Sequence, residues 1–349
     1  MNIQDLLLQC VERRASDLHL SSGVPPMVRI DGDLTRLSEA VLSHEEIHQA
    51  VVGLMNPIQQ AHFKDTMECD FSIEIPQVSR FRVNAFHQAR GVSVAFRGIP
   101  SRMPRLEDLN APAIFSDFVH SSRGLVLVTG PTGSGKSTTL AAMVDLLNHS
   151  TPKHILTIED PIEFVHTPRQ CLVNQREVGG HTLSFENALR AAMREDPNVI
   201  LVGEMRDLET VRLAITAAET GHLVLGTLHT SGAAKTIDRI IDVFPAEEKE
   251  MVRSMLSESL NAVISQVLCK RKDGKGRIAA YEIMVGTTGI RNLIREGKVA
   301  QMYSAMQTGS AAGMQTLDQN LAALVNDGLI DALQARAKAK YPENFGSAR

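Results

Sequence analysis

The strongest chemical signal in these 349 residues is one short run. Gly130, Pro131, Thr132, Gly133, Ser134, Gly135, Lys136 and Ser137 spell G-x-x-x-x-G-K-[ST], and Thr138 follows. Glycines at these spacings let successive backbone N–H groups turn toward one phosphate chain, and a helix opening at the lysine adds about half a positive charge. Lys136 then reaches the β- and γ-phosphates, while the Ser137 hydroxyl ligates Mg²⁺. The flanks suit the motif, with an apolar, strand-length run at Leu125–Val128 before it and a helix-compatible run at Thr139–Val144 after it. The chain is expected to bind a nucleoside triphosphate with Mg²⁺.

Three further apolar runs end in groups able to act on a phosphate. His154–Ile158 leads into Glu159, Asp160 and Glu163; Val199–Val202 leads into Gly203 and Glu204; Leu223–Leu228 starts after His222 and ends at His229. Doubly wound sheets bind ligands at the carboxyl ends of their strands. Glu204 is therefore expected to orient and deprotonate the attacking water. Its predecessor is unusual, because a metal-supporting Asp commonly ends this strand and here the position is Gly203. Glu159, Asp160 or Glu163 is expected to supply that carboxylate. His222 and His229 are expected to sense the γ-phosphate through hydrogen bonds.

Periodicity supplies the supporting elements. Ile3, Leu6, Leu7, Cys10 and Val11 fall at helical spacing. Leu18 and Leu20 alternate with Asp17 and His19, and Met27–Ile30 meets an Asp31-Gly32 turn. A hairpin over residues 80–97 places Phe81, Val83, Ala85, Val92, Val94 and Phe96 inward, leaving Arg80, Arg82 and Arg97 on the opposite face. The proline-bearing stretch 99–112, with Pro100, Pro104 and Pro112, reads as a linker between an N-terminal domain (1–98) and a larger one (113–349). In the larger domain, strands alternate with helices, the pattern of a mostly parallel α/β sheet. One helix follows an N-cap at Ser184; another, from Leu208 to Ala218, is closed by Gly221. Beyond about Pro245 the pattern reads as mostly helical, with a long helix running to Leu268. Ile290, Leu293 and Ile294 mark a buried helix face, so Arg291, Asn292, Arg295 and Glu296 are expected to be exposed.

Bulk properties exclude several classes. A net charge of −4, with no aromatic-interleaved basic groove, argues against stable nucleic-acid binding and so against a nucleic-acid translocase. Four scattered cysteines suggest neither a disulfide framework nor a zinc site. With no signal-peptide pattern and no membrane-length apolar stretch, a cytoplasmic location is expected.

These blocks closely resemble the secretion ATPases of the type II/type IV pilus superfamily, in particular its pilus-retraction branch. The likeness runs through Ala15–Leu20, the phosphate loop Gly130–Thr138, the acidic box Thr157–Phe164, Ile200–Asp207, the histidine box Gly221–Thr230, and Gly289–Glu296, which resembles the helix the branch needs for retraction. The resemblance implies a PAS-like α+β N-terminal domain joined to a RecA-like motor domain with a helical C-terminal portion, assembled as a homo-hexamer. It implies ATP in the cleft between the domains and Glu204 as the catalytic glutamate. Glu163 is the acidic-box carboxylate, His222 and His229 are the histidine-box residues, and N-terminal arginines such as Arg82 and Arg97 close on the phosphates. An inner-membrane pilus platform protein is the implied partner, with a paralogous retraction ATPase as a further candidate, so the chain is placed peripherally at the inner membrane. Cys269–Arg277 carries one cysteine where extension and secretion relatives have a tetracysteine zinc insertion, which favours retraction over assembly. The alternative readings are an accessory nucleotide-gated retraction subunit that assists a principal motor and a RecA-like nucleic-acid translocase, the latter disfavoured by the charge.

Overall fold

Residues 2–30, 32–76, 78–99 and 103–346 are described by the structure, a computed structural model. Asp31 of the expected turn and Pro100 of the expected linker lie outside the described residues. Contacts group the chain into two compact units, Met1–Arg102 with Pro161–Phe164, and Met103–Asp160 with Val165–Arg349.

In the first unit, period-2 alternation dictates the sheet. Its elements are α1 (Ile3–Glu12), β1 (Asp17–Ser21), β2 (Met27–Ile30), β3 (Asp33–Arg36), α2 (His44–Val52), α3 (Pro57–Thr66), β4 (Glu68–Ile75), β5 (Ser79–Gln88) and β6 (Gly91–Ile99). The six strands pair antiparallel in the order β3-β2-β1-β6-β5-β4. Phe81, Val83, Ala85, Val92, Val94 and Phe96 are buried as the hairpin reading expects, and the helices close over that face with Leu7, Ile47, Val51 and Phe63. Capping boxes at Ser43/Glu46 and Asn56/Gln59 start α2 and α3, each satisfying two orphan N–H groups. On the other face, cross-strand register aligns Arg29, Asp17, Arg97 and Arg82 in one row.

The second unit comprises α4 (Ile114–His120), β7 (Gly124–Thr129), α5 (Lys136–Ser150), β8 (His154–Glu159), β9 (Leu172–Glu177), α6 (Phe185–Ala192), β10 (Val199–Val202), α7 (Leu208–Glu219), β11 (Leu223–Leu228), α8 (Ala233–Asp242), α9 (Lys249–Ser259), β12 (Leu260–Lys270), β13 (Arg277–Val285), α10 (Thr288–Arg295), α11 (Val299–Thr308), α12 (Leu317–Asn326) and α13 (Ala332–Arg336). Its sheet runs β13-β12-β7-β11-β10-β8-β9, parallel throughout except for β13. Both faces are covered. Leu125, Leu127, Ile200, Val202 and Val224 pack with α6 to α11, whereas Val126, Val128, Val199, Leu201 and Leu225 pack with α4 and α5. Burial on both sides is why these strands read as continuous apolar runs.

Two expectations from the C-terminal third need correction. The long helix to Leu268 ends at Ser259, and Leu260–Lys270 is a strand inserted between β13 and β7. A strand buried on both faces lacks alternation, so by periodicity alone it resembles a buried helix. Arg291, expected to be exposed, is half-buried and caps α9. Its Nε donates to Gly286 O (2.7 Å), and its Nη1 donates to Ser257 O and Glu258 O (both 2.5 Å). The Ser257 and Glu258 carbonyls are among those that the C-terminus of α9 leaves without intrahelical partners, and Gly286 lies just before α10. Arg295 does stay exposed, with Nη2 at 2.7 Å from Glu258 Oε1. Among the described residues, no helix is long and apolar enough to cross a membrane.

Candidate nucleotide-binding site

The phosphate loop leaves β7, and its helix α5 begins at Lys136. Gly130 has φ 142°, and a Cβ there would lie 2.3 Å from Gln266 O, so only glycine fits against β12. Lys136 is buried, with Nζ donating to Gly130 O (3.0 Å) and Pro131 O (3.3 Å), which places its ammonium inside the loop. Pro131, Thr132 and Gly133 form the exposed crest, and Ser137 and Thr138 sit half-buried in the first helical turn. The hydroxyls of Thr129 and Ser134, at the two ends of the loop's first half, are buried with no hydrogen-bond partner. Gln266, which sequence reasoning missed, braces this cradle. Its Nε2 donates to Ser134 O (2.6 Å), and its Oε1 accepts from Thr139 Oγ1 (2.9 Å).

Parallel register carries the other strand ends to the same rim. Thr129 pairs with Leu228, Gly226 with Val202, and Val202 with Ile158. Gly203 explains the missing strand-end Asp: a Cβ there would meet Ile158 O at 3.1 Å and Glu159 Cα at 3.2 Å, so β8 occupies the space. Glu204 is pinned on both sides, because Thr227 Oγ1 donates to Gly203 O (2.5 Å) and Met205 N donates to Thr227 O (3.0 Å). The Glu204 Oε1 atom lies 2.5 Å from Arg206 Nε and 2.8 Å from His229 Nε2. Facing a carboxylate, His229 Nε2 must carry the proton. Burial pushes the Glu204 carboxyl up, but the hydrogen bond and charge of Arg206, with His229 added, hold it below the usual carboxylate range. Glu159 Oε1 accepts from Thr157 Oγ1 (2.7 Å) and from Gln175 Nε2 (3.1 Å), and Asp160 lies exposed beyond the strand. Gln175, on the edge strand β9, is a second residue the sequence did not mark.

His222 departs from expectation. It precedes β11, accepting from Gly124 N through its carbonyl and placing Nδ1 3.0 Å from Ala217 O. Seven residues of extended chain separate it from His229, roughly 20 Å. Within one chain His222 therefore sits at the opposite edge of the sheet and cannot sense a phosphate held by that chain's own loop. Glu163 belongs to the segment grouped with the first unit. In that unit Arg97 Nε donates to Asp17 Oδ1 (2.8 Å), and Arg82 Nη2 lies 3.9 Å from Asp70 Oδ1. Burial opposes ionisation of Asp17, but hydrogen bonds from Ser16 and Arg97 prevail and keep its carboxyl below the usual range.

The site can cradle a triphosphate and present a polarised carboxylate beside it. Among the described residues, no cluster of three or more His, Cys, Asp or Glu side chains could hold a metal.

Comparisons with known proteins agree with this chemistry. The family model described as "Type II/IV secretion system protein" matches residues 2–335. The chain is 63% identical over 345 residues to the type IV pilus retractation ATPase PilT of Pseudomonas aeruginosa, covering 99% of this chain and all of that one. It is 58% identical to a twitching motility protein of Neisseria gonorrhoeae, covering 95% and 90% of the two chains. A crystal structure of the pilus retraction motor PilT with bound ADP superposes with a TM-score of 0.91 at 46% identity, over 99% of this chain and 98% of that one. A near-complete family match and relatives of this identity place the chain in the type II/IV secretion system protein family.

Proposed function

We propose that this chain is an ATPase motor that drives type IV pilus retraction and hence twitching motility. One observation carries the chemistry: β7, β8, β10 and β11 bring the phosphate loop, Glu159, Glu204 and His229 to a single rim. In this reading the loop amides from Gly130 to Ser137 and the Lys136 ammonium grip the phosphates. Glu204 takes the proton of the attacking water, and His229 steadies its carboxylate. Bound through Ser137 and the phosphates, with Glu159, Asp160 or Glu163 near its water shell, Mg²⁺ would neutralise charge on the β- and γ-oxygens. Arg82 and Arg97 are the proposed cations for charge developing in the transition state. The first unit is read as PAS-like and the second as RecA-like, with residues 99–112 as linker.

The mechanical part of the reading rests on the relatives' names and on α10. It comprises a homo-hexamer, an inner-membrane platform protein as the driven partner, a paralogous retraction ATPase as an additional partner, and a cytoplasmic position against that membrane. The test is phosphate release by the purified protein together with pilus retraction in cells. Glu204→Gln keeps the size of the side chain but removes the base, and should lower turnover about 10²- to 10⁴-fold while ATP still binds. Wild-type turnover in that variant would reject the assignment. Nucleotide binding without hydrolysis by the unaltered protein would favour the accessory-subunit reading.

A further inference from the structure

Two donors meet one oxygen of Glu204. Arg206 Nε and His229 Nε2 both lie on Oε1, at 2.5 and 2.8 Å. A carboxylate that must take a proton from water needs an available lone pair and uncompensated charge, and a guanidinium on the same group reduces both. The two donors are not held alike. His229 directly follows β11, a strand paired on both sides. Arg206 lies in the turn between β10 and α7 with its side chain 73% exposed, and it also feels the charge of Asp160 beyond β8. The carboxylate end of this pair is 19% exposed, but the guanidinium end is open, so Arg206 can exchange Glu204 for water without any buried packing being lost.

We propose that Arg206 is a positioning residue that parks Glu204 in a resting arrangement, and that hydrolysis requires the guanidinium to swing away, with Asp160 as its alternative counter-charge. This inference rests on the reading of Glu204 as the base. It makes idling turnover a property of one exposed side chain while the backbone of the rim stays fixed.

The experiment compares steady-state ATP hydrolysis by the purified full chain as wild type, Arg206→Gln, Arg206→Lys and Glu204→Gln, with thermal midpoints recorded for each. The expected result is a kcat about two- to fivefold higher in Arg206→Gln, the rate equivalent of an ion pair open at its arginine end, with KM for ATP unchanged. Arg206→Lys, which keeps the charge, should fall back toward the wild-type rate. A purely structural role predicts a lower midpoint and slower turnover. An Arg206→Gln protein no faster than wild type, or a Lys variant as fast as the Gln variant, overturns the proposal. Inactive Glu204→Gln alongside either of those outcomes would sink the resting contact alone, whereas an active Glu204→Gln would remove the reading beneath it.

Discussion

Replacing Gln266 with Leu tests whether the phosphate loop is held from β12. The side chain is 1% exposed, and both ends of its amide are engaged, with Ser134 O at 2.6 Å and Thr139 Oγ1 at 2.9 Å. Leucine preserves the volume, so the cavity contribution is small and the loss is polar. Two net hydrogen bonds contribute about 1 kcal/mol each, and the buried Ser134 carbonyl left without a donor adds at least about 1 kcal/mol more. The expected loss is about 3 kcal/mol, which for a unit of this size lowers the unfolding midpoint by roughly 6–12 °C. Function should fall further than stability. The loop must stay close to its productive geometry, so kcat/KM for ATP should drop at least about tenfold at temperatures where the protein is folded. Gln266→Glu sharpens the comparison. It can still accept from Thr139 but sets a carboxylate against the Ser134 carbonyl, so it should be the worse variant. Calorimetry with and without ATP, plus steady-state kinetics, provides the readout. A midpoint within about 2 °C of wild type, with kcat/KM unchanged within twofold, would refute the brace.

Two other consequences follow from single groups. Burial pushes the His166 imidazole down from 6.5 to about 4. Because the folded value is depressed, the unfolded chain binds the extra proton first; the stability this group contributes is intact above pH 6.5 and disappears as pH falls toward 4. At about 1.4 kcal/mol per unit this amounts to roughly 3 kcal/mol. Chemical denaturation should show that decline in the wild type and a flatter profile in His166→Phe; parallel profiles would exclude His166 as its source. Arg291→Ala strips three backbone carbonyls of their donor and should cost about 2–3 kcal/mol, whereas Arg295→Ala, which loses an exposed pair, should cost under about 1 kcal/mol. Equal urea midpoints for the two variants would contradict the capping role of Arg291.

What the sequence revealed depended on how local each signal was. The phosphate loop and Glu204 were legible because each lies within a few residues of the apolar strand that positions it. Arg80, Arg82 and Arg97 were legible because alternation in a one-sided sheet fixes which side chains point away from its core. His222 misled because a strand has two ends, and proximity in sequence to His229 hides a separation of roughly 20 Å. Gln266 was invisible for another reason. Leu260–Lys270 is buried on both faces, so its pattern does not identify it as a strand, and β7, the neighbour whose phosphate loop Gln266 braces, is remote in sequence. Arg291 needed knowledge of where α9 stops, which periodicity could not fix once the strand after it had been read as helix.

The rim itself has little freedom to move. Gly203 lets β10 approach β8 within backbone contact, and Met205 sits so close to Gly226 that a Cβ there would lie 3.1 Å from Met205 Cε. Thr227 bonds the residues on either side of Glu204. The backbone that carries the proposed base is therefore clamped from β8 and from β11, and displacing it would break buried contacts on both. Side-chain torsions remain as the inexpensive coordinate, and of the two partners on Glu204 Oε1, Arg206 is the one in a turn with most of its side chain in solvent. In a motor that must not spend ATP idly, a rigid strand end with one loosely held counter-ion lets turnover be controlled without rebuilding the sheet.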